Sequence, residues 1–266
     1  MEYLESIILG VVQGLTEFLP ISSSGHLEIS KAILGNDLSN KESLLFTIVL
    51  HFATALSTLF FFRKDILNII LGLFDSNNKE SKNFSISILI SMIPSVFIGL
   101  FFEDFINSFF DGNLILVGCM LYITAILLYL SDVIKLKTNE VTFKNSFIIG
   151  LAQAIAILPG ISRSGATIAT AVVIGIDREK AARFSFIMVI PLIFGSMFKS
   201  IIDNGGLEFT NYNLISVLLG FISAFITGLL ACKWMISLVK KSKLYYFSIY
   251  CFIVGSIIIY YSFNGI

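Results

Sequence analysis

The sequence predicts an all-α, polytopic membrane protein: about six transmembrane helices plus two re-entrant helix hairpins, arranged as an inverted-topology repeat. Three observations carry this expectation. The 266 residues are 56% hydrophobic and 14% charged, with a mean hydropathy of +0.89, whereas soluble domains carry about a quarter charged residues. Apolar runs recur at close to the ~20 residues that a bilayer-spanning helix needs. Two shorter apolar runs, each ended by a proline and followed by serine and glycine, lie 140 residues apart and share residues.

In chain order, the first short run covers residues 4–19, stops at Pro20, and is followed by a second short run at 27–34. It starts Met-Glu, with no basic segment and no small-residue cleavage site, so it reads as part of the fold rather than as a cleaved signal. Spans are expected at 44–62, 85–102 and 114–130. The second short run, 146–158, stops at Pro159 and is followed by 168–176. Further spans are expected at 184–200, 214–231 and 245–261. At about 1.5 Å per residue, each half of a broken run falls short of the ~30 Å hydrocarbon core. Two such halves form a hairpin that returns to its own side, with a break tolerated only where protein or a wet cavity surrounds it.

Charge gives the orientation. Arg63, Lys64, Lys79, Lys82, Lys135, Lys137, Lys144, Arg178, Lys180, Arg183, Lys233, Lys240, Lys241 and Lys243 fall on one side of this layout, fourteen of the eighteen basic residues. That side is expected to be cytoplasmic. Of the remaining four, Lys31, Lys41 and Lys199 lie elsewhere and Arg163 sits in the second break. The alternation closes only if both short regions are hairpins, the first entering from outside and the second from the cytoplasm. Both termini are then external.

A shift of 140 places Gly10, Gln13, Ile21, Ser22, Ser24 and Gly25 on Gly150, Gln153, Ile161, Ser162, Ser164 and Gly165. The repeats are expected at 1–132 and 145–262, each with one hairpin and three spans. An odd number of spans turns the second repeat upside down, the arrangement of secondary transporters whose broken helices meet near the midplane.

The breaks hold the polar chemistry. Serine suits a helix N-cap and glycine allows close backbone approach. Helix N-termini favour anions, phosphate above all. The breaks differ, however: Glu17, Ser23 and His26 correspond to Ile157, Arg163 and Ala166. Gln13 and Glu17, four apart, share a helix face. A carboxylate with an amide oxygen can hold Mg²⁺ or Ca²⁺, Arg163 offers a planar fork to phosphate oxygens, and His26 offers an acid, base or nucleophile. Ser22, Ser24, Gly25, Ser162, Ser164, Gly165 and Thr167 are the expected phosphate-binding positions. His51 lies within a span, where facing the site and packing are both open readings. Glu28 and Lys31, at i, i+3, read as a local ion pair. A phosphate site at membrane depth calls for a substrate that is itself partly lipid, and hydrolysis of a lipid-linked phosphate fits.

These residues, "GVVQGLTEFLPISSSGH" at 10–26 and "LPGISRSGAT" at 158–167, with "AARFSF" and "IP" further on, closely resemble the undecaprenyl-pyrophosphate phosphatase family, the bacitracin-resistance type. The resemblance covers essentially the whole chain. It implies a membrane phosphatase that removes the terminal phosphate of undecaprenyl pyrophosphate, recycling the lipid carrier for cell-wall synthesis in a bacterial plasma membrane. It places the family's acidic motif on Gln13 and Glu17, its serine-histidine motif on Ser22, Ser23, Ser24, Gly25 and His26, and its arginine motif on Pro159, Gly160, Ser162, Arg163, Ser164 and Thr167. It also implies a divalent cation, to which this chain brings one carboxylate, because Gln13 stands where the motif allows Glu or Gln.

Two other readings compete with this one. The acid-phosphatase type of membrane phosphatase needs a histidine where Ala169 stands. A transporter or flippase of a lipid phosphate would use the same inverted repeat but needs no nucleophile. Cys119, Cys232 and Cys251 lie in apolar segments and read as packing residues. With no basic face, no nucleic-acid partner is expected; the expected partners are the polyprenyl pyrophosphate, membrane lipids and a second copy of the chain as a candidate homodimer.

Overall fold

The computed structural model describes residues 3–34, 40–75, 77–102, 106, 109, 113–134, 140–203, 213–241 and 243–264. Lys135, Lys137 and most of the stretch 103–113 between the expected spans 85–102 and 114–130 lie outside them, as does the side chain of Lys41. Among the described residues the regular elements are helices: α1 (Tyr3–Phe18), α2 (Ser23–Leu34), α3 (Asn40–Phe61), α4 (Arg63–Phe74), α5 (Lys79–Phe101), α6 (Leu114–Val133), α7 (Phe143–Ile155), α8 (Arg163–Val173), α9 (Arg178–Asp203), α10 (Leu214–Lys240) and α11 (Leu244–Asn264).

Five of these helices are long and apolar enough to cross a membrane, and α3 with α4 makes a sixth if that bent pair is one span. The chain is a multi-pass membrane protein. Outward faces of the spans are apolar, as at Leu218, Ile222, Ile226 and Leu230 on α10, spaced by four and all exposed. Such a stripe is lipid-facing, since water would leave it as a large apolar patch.

The region 63–74, expected to be loop, is instead helix α4, set at 72° to the preceding helix. Its apolar residues Leu67, Ile70, Leu71 and Phe74 recur at helical spacing and are exposed. The charges at Arg63, Lys64 and Asp65 masked that periodicity in the sequence.

Inside the molecule small residues set the packing. Gly10 and Gly14 on α1 face Gly220, Ala224 and Gly228 on α10. A Cβ at Gly14 would lie 2.6 Å from Ala224 O and 2.8 Å from Gly228 N. Small residues four apart let membrane helices approach closely where no hydrophobic force drives them together. Gly150 on α7 meets the Ser91 backbone of α5 in the same way, with Ser87, Ser91 and Ser95 buried along that face. Gly14→Leu is therefore expected to lower stability by about 1–3 kcal/mol or more, read as a lower midpoint for thermal aggregation of the purified protein. Gly99, with open space around it, should tolerate the same change.

The packing partners are exchanged between the two halves. Helix α1 packs on α10, and its counterpart α7 packs on α5, the counterpart of α10. Helix α6 packs on its own counterpart α11, and α3 on α9. At one end of the molecule, ion pairs gather the basic segments: Arg183–Asp65 at 2.7 Å, Arg178–Asp132 at 2.6 Å, Lys180–Glu140 at 2.8 Å and Lys240–Glu179 at 2.7 Å. Asp132 also accepts from the Tyr245 backbone N–H at the start of α11, so one carboxylate ties α6, α9 and α11 together.

Candidate active site

The two proline-ended breaks meet. Gly25 of the first lies against the Cα of Gly160, and Gly165 of the second lies against Pro20. Under the 140-residue correspondence Gly25 matches Gly165 and Pro20 matches Gly160, so the two contacts are equivalent. A Cβ at either glycine would stand 3.3 Å from the opposite hairpin, tighter than ordinary van der Waals contact, so this close approach favours glycine at both positions.

Each second half-helix begins one residue after a capping serine. Ser22 Oγ accepts from the Gly25 N–H at 3.3 Å, and Ser162 Oγ accepts from the Gly165 N–H at 3.1 Å. Ser24 and Ser164 lie within hydrogen-bonding reach of these capping hydroxyls, at 3.4 and 3.3 Å. The caps place Ser23, Ser24, Gly25 and Arg163, Ser164, Gly165 in the first turns of α2 and α8, where N–H groups lack intrahelical acceptors. The backbones reach this geometry differently. Ser22 itself takes a positive φ of 72°, whereas the second break puts its positive φ, 95°, on Gly160. A non-glycine residue in that region is strained, and such strain concentrates at functional sites.

Across the junction Arg163 donates from Nη2 to Glu17 Oε1. Glu17 Oε2 accepts from Gln13 Nε2 at 2.9 Å and from the Ser23 hydroxyl at 2.8 Å. Glu17 is 7% exposed, so its charge is balanced inside the protein rather than by water. The second nitrogen of the fork, Arg163 Nη1, is buried with no partner among the described residues. A buried donor without an acceptor is unfavourable by about 1–3 kcal/mol, and a phosphate oxygen would satisfy it. In the second half Gln153 has no carboxylate to meet, because Ile157 stands at the place of Glu17, and it donates to Ser95 Oγ instead.

Not every expected residue converges on Glu17. His26 is turned away: its Nδ1 lies 2.8 Å from Ser22 O and its Nε2 lies 2.8 Å from the hydroxyl of Tyr250 on α11. Ser164 Oγ donates to Leu19 O at 3.3 Å, and Thr167 shares a hydrogen bond with Ser185. These two hydroxyls brace the junction. Two residues join that sequence reasoning did not place. His51 on α3 faces the site, with Nε2 3.9 Å from Glu17 Oε2 and Nδ1 at 2.9 Å from Thr47 O. Thr124 on α6 donates to Gly160 O and accepts from the Ser162 N–H, at 3.2 and 3.0 Å. No spacing signal could have found Thr124, since it acts from 36 and 38 residues away. Glu28 and Lys31 pair as expected, at 3.3 Å.

Among the described residues no group of three or more His, Cys, Asp or Glu side chains is placed to hold a metal ion. The oxygen donors at the site are Glu17 and Gln13 Oε1, which is buried without a partner among those residues. This set fits a Mg²⁺ or Ca²⁺ that takes most of its ligands from phosphate oxygens and water, as Mg²⁺ commonly does, and not a closed all-protein cage.

The bacitracin resistance protein BacA family model matches residues 6–257. The chain belongs to this family. It is 57% identical to the undecaprenyl-diphosphatase of Christiangramia forsetii, over 96% of each chain. It is 49% identical to that of Bacteroides fragilis over 97% of this chain and 98% of the relative, and 40% identical to that of Methanobrevibacter smithii over 97% of both. Membership bears out the resemblance that the two break motifs carry.

Proposed function

We infer that the chain is an undecaprenyl-diphosphatase, hydrolysing undecaprenyl pyrophosphate to undecaprenyl phosphate and inorganic phosphate. The observation that carries the chemistry is the hydrogen bond from Ser23 to Glu17, with Arg163 on the other carboxylate oxygen and a free Nη1 beside it. A pure transporter of the lipid would need the cation and the helix ends but not a hydroxyl held on a carboxylate.

The terminal phosphate binds at Arg163 Nη1 and the first-turn N–H groups of α2 and α8. Ser23 Oγ attacks its phosphorus while the hydroxyl proton passes to Glu17 Oε2. The bond to the bridging oxygen breaks, and the lipid monophosphate leaves. Water then attacks the phosphoserine, inorganic phosphate departs, and Ser23 Oγ takes back from Glu17 Oε2 the proton it gave up. His26 Nε2 is the acceptor available for the proton of that water. Phosphoryl transfer passes through a loose transition state and depends mainly on positioning and charge neutralisation. Gln13 and Glu17 would hold the divalent cation, which when bound neutralises phosphate charge. Ser22 and Ser162 act as caps, and Ser24, Gly25, Ser164, Gly165 and Thr167 shape the cradle.

The exchanged packing supports the repeat bounds 1–132 and 145–262. The gathering of basic segments at one end supports a cytoplasmic face there, with both termini and the site's opening external in a bacterial plasma membrane. A homodimer is kept as a candidate assembly.

Trapping the phosphoenzyme tests the nucleophile. Brief reaction of purified protein with substrate labelled in its terminal phosphate, then acid quench, should leave label on Ser23 and none in Ser23→Ala. Label on His26 would reverse the assignment. For orientation, a single cysteine at Ser23 should react with an impermeant reagent from outside only; labelling from the cytoplasmic side alone would sink the external opening. Should wild type release no phosphate while proteoliposomes move the lipid, the transport reading takes its place.

A further inference from the structure

Helices α6 and α11, counterparts in the two repeats, each brace one break. Thr124 Oγ1 on α6 donates to the Gly160 carbonyl at 3.2 Å. Cys251 Sγ on α11 donates to the Pro20 carbonyl at 3.7 Å. Pro20 and Gly160 are equivalent positions, so this bracing is matched. One polar contact of α11 has no match: the Tyr250 hydroxyl lies 2.8 Å from His26 Nε2, with the two rings stacked at 14° and 5.6 Å between centroids. The residue equivalent to His26 is Ala166, which can accept nothing. The extra contact therefore stands only at the break that carries the chemistry.

The geometry assigns the proton positions. Ser22 O is a carbonyl and only accepts, so His26 Nδ1 at 2.8 Å carries the hydrogen. In the neutral ring Nε2 is then a lone pair, and the Tyr250 O–H donates to it. Ser22 O lies one helical turn before His26 and also accepts the His26 backbone N–H at 3.1 Å. Two partners thus pin both ring nitrogens, one on the ring's own helix cap and one 224 residues away.

We propose that Tyr250 is a positioning residue of the hydrolytic site: it holds His26 in the Nδ1–H form, so that Nε2 is the nitrogen left to accept the water's proton. This rests on the phosphatase reading and on the acid-base role of His26. As water attacks the phosphoserine, the Tyr250 hydroxyl swings from donor to acceptor. Nε2 takes the water's proton, and the resulting Nε2–H then donates to the Tyr250 oxygen. The hydroxyl satisfies both states, which a phenylalanine cannot.

Tyr250→Phe keeps the stacked ring and removes only the oxygen. With undecaprenyl pyrophosphate and full-length purified protein, kcat is expected to fall about tenfold, with KM within about twofold of wild type. The His26→Ala and Tyr250→Phe double variant should be no slower than His26→Ala alone, since residues acting through one another are non-additive. The chain has two histidines, so ¹⁵N-histidine NMR with His51→Gln for assignment isolates the His26 ring. Wild type should show the single Nδ1–H form, and Tyr250→Phe a mixture of both. This reading on purified protein stands whether or not turnover survives. Wild-type kcat in Tyr250→Phe, losses that multiply in the double variant, or an unchanged His26 ring would each overturn the proposal. A wild-type protein that releases no phosphate would instead sink the hydrolase reading, a separate outcome.

Discussion

Arg163→Ala is expected to lower kcat for phosphate release by about a thousandfold or more, the scale on which arginines stabilise phosphoryl transfer. The reason lies in how the fork is divided. Nη2 is spent on Glu17, and Nη1 is buried and unpaired. One residue therefore holds the carboxylate in place and presents a charged donor to the phosphate. Arg163→Lys separates these two tasks. A lysine keeps the charge but is a point donor, without the planar fork that reaches two partners at once. It should recover only part of the loss, leaving kcat about a hundredfold below wild type. Steady-state phosphate release with both variants checks this, and a lysine variant as fast as wild type would show that charge alone suffices. The alanine variant also leaves Glu17 buried without its cation, a change that destabilises by about 3–5 kcal/mol. Its thermal midpoint should fall alongside its rate.

Much of this site was legible in the chain because it is local and repeated. The serine caps, the glycines at the junction and the Gln13–Glu17 pair all follow from short spacings, and the 140-residue match shows that two such breaks exist. That they meet follows from inversion, which depends only on an odd number of spans. What stayed hidden is set by contacts between distant segments. Tyr250 and Thr124 sit inside ordinary apolar spans, where a single hydroxyl has no spacing to mark it. His51 was visible as a polar residue within a span, but its face could not be fixed, because the small moment of an almost wholly apolar helix leaves rotation undetermined. Helix α4 was hidden for the opposite reason. Its Leu67, Ile70, Leu71 and Phe74 stripe is regular, but it starts at Arg63 and Lys64, and a basic cluster after a span reads first as loop. The direction of His26 was beyond reach for a subtler cause. Sequence places it on the first turn of α2, three residues from Ser23, and offers it as an acid, base or nucleophile without fixing which way its ring points. The ring turns back on the Ser22 carbonyl one helical turn earlier and reaches across to Tyr250 on a distant helix.

Glu17→Gln should remove nearly all turnover, with kcat lower by about a thousandfold, although its shape and its contact with Gln13 can persist. An amide oxygen can accept from Ser23, but it cannot take the proton that leaves Ser23 as the phosphorus is attacked. No phosphoserine should then accumulate on quench, and retention of more than about a tenth of wild-type activity would contradict the role given to Glu17. Loss of activity alone does not separate chemistry from folding, since the change leaves Arg163 buried without its anion. The double variant Glu17→Gln with Arg163→Gln does separate them. Breaking one side of a buried pair strands a charge, whereas replacing both removes the desolvated charges together and is often neutral for stability. The double variant should therefore recover the thermal midpoint that each single variant loses, and it should remain inactive. Recovery of stability without recovery of rate would place the Glu17–Arg163 pair in the reaction itself, because a pair serving the fold alone would return activity with the fold.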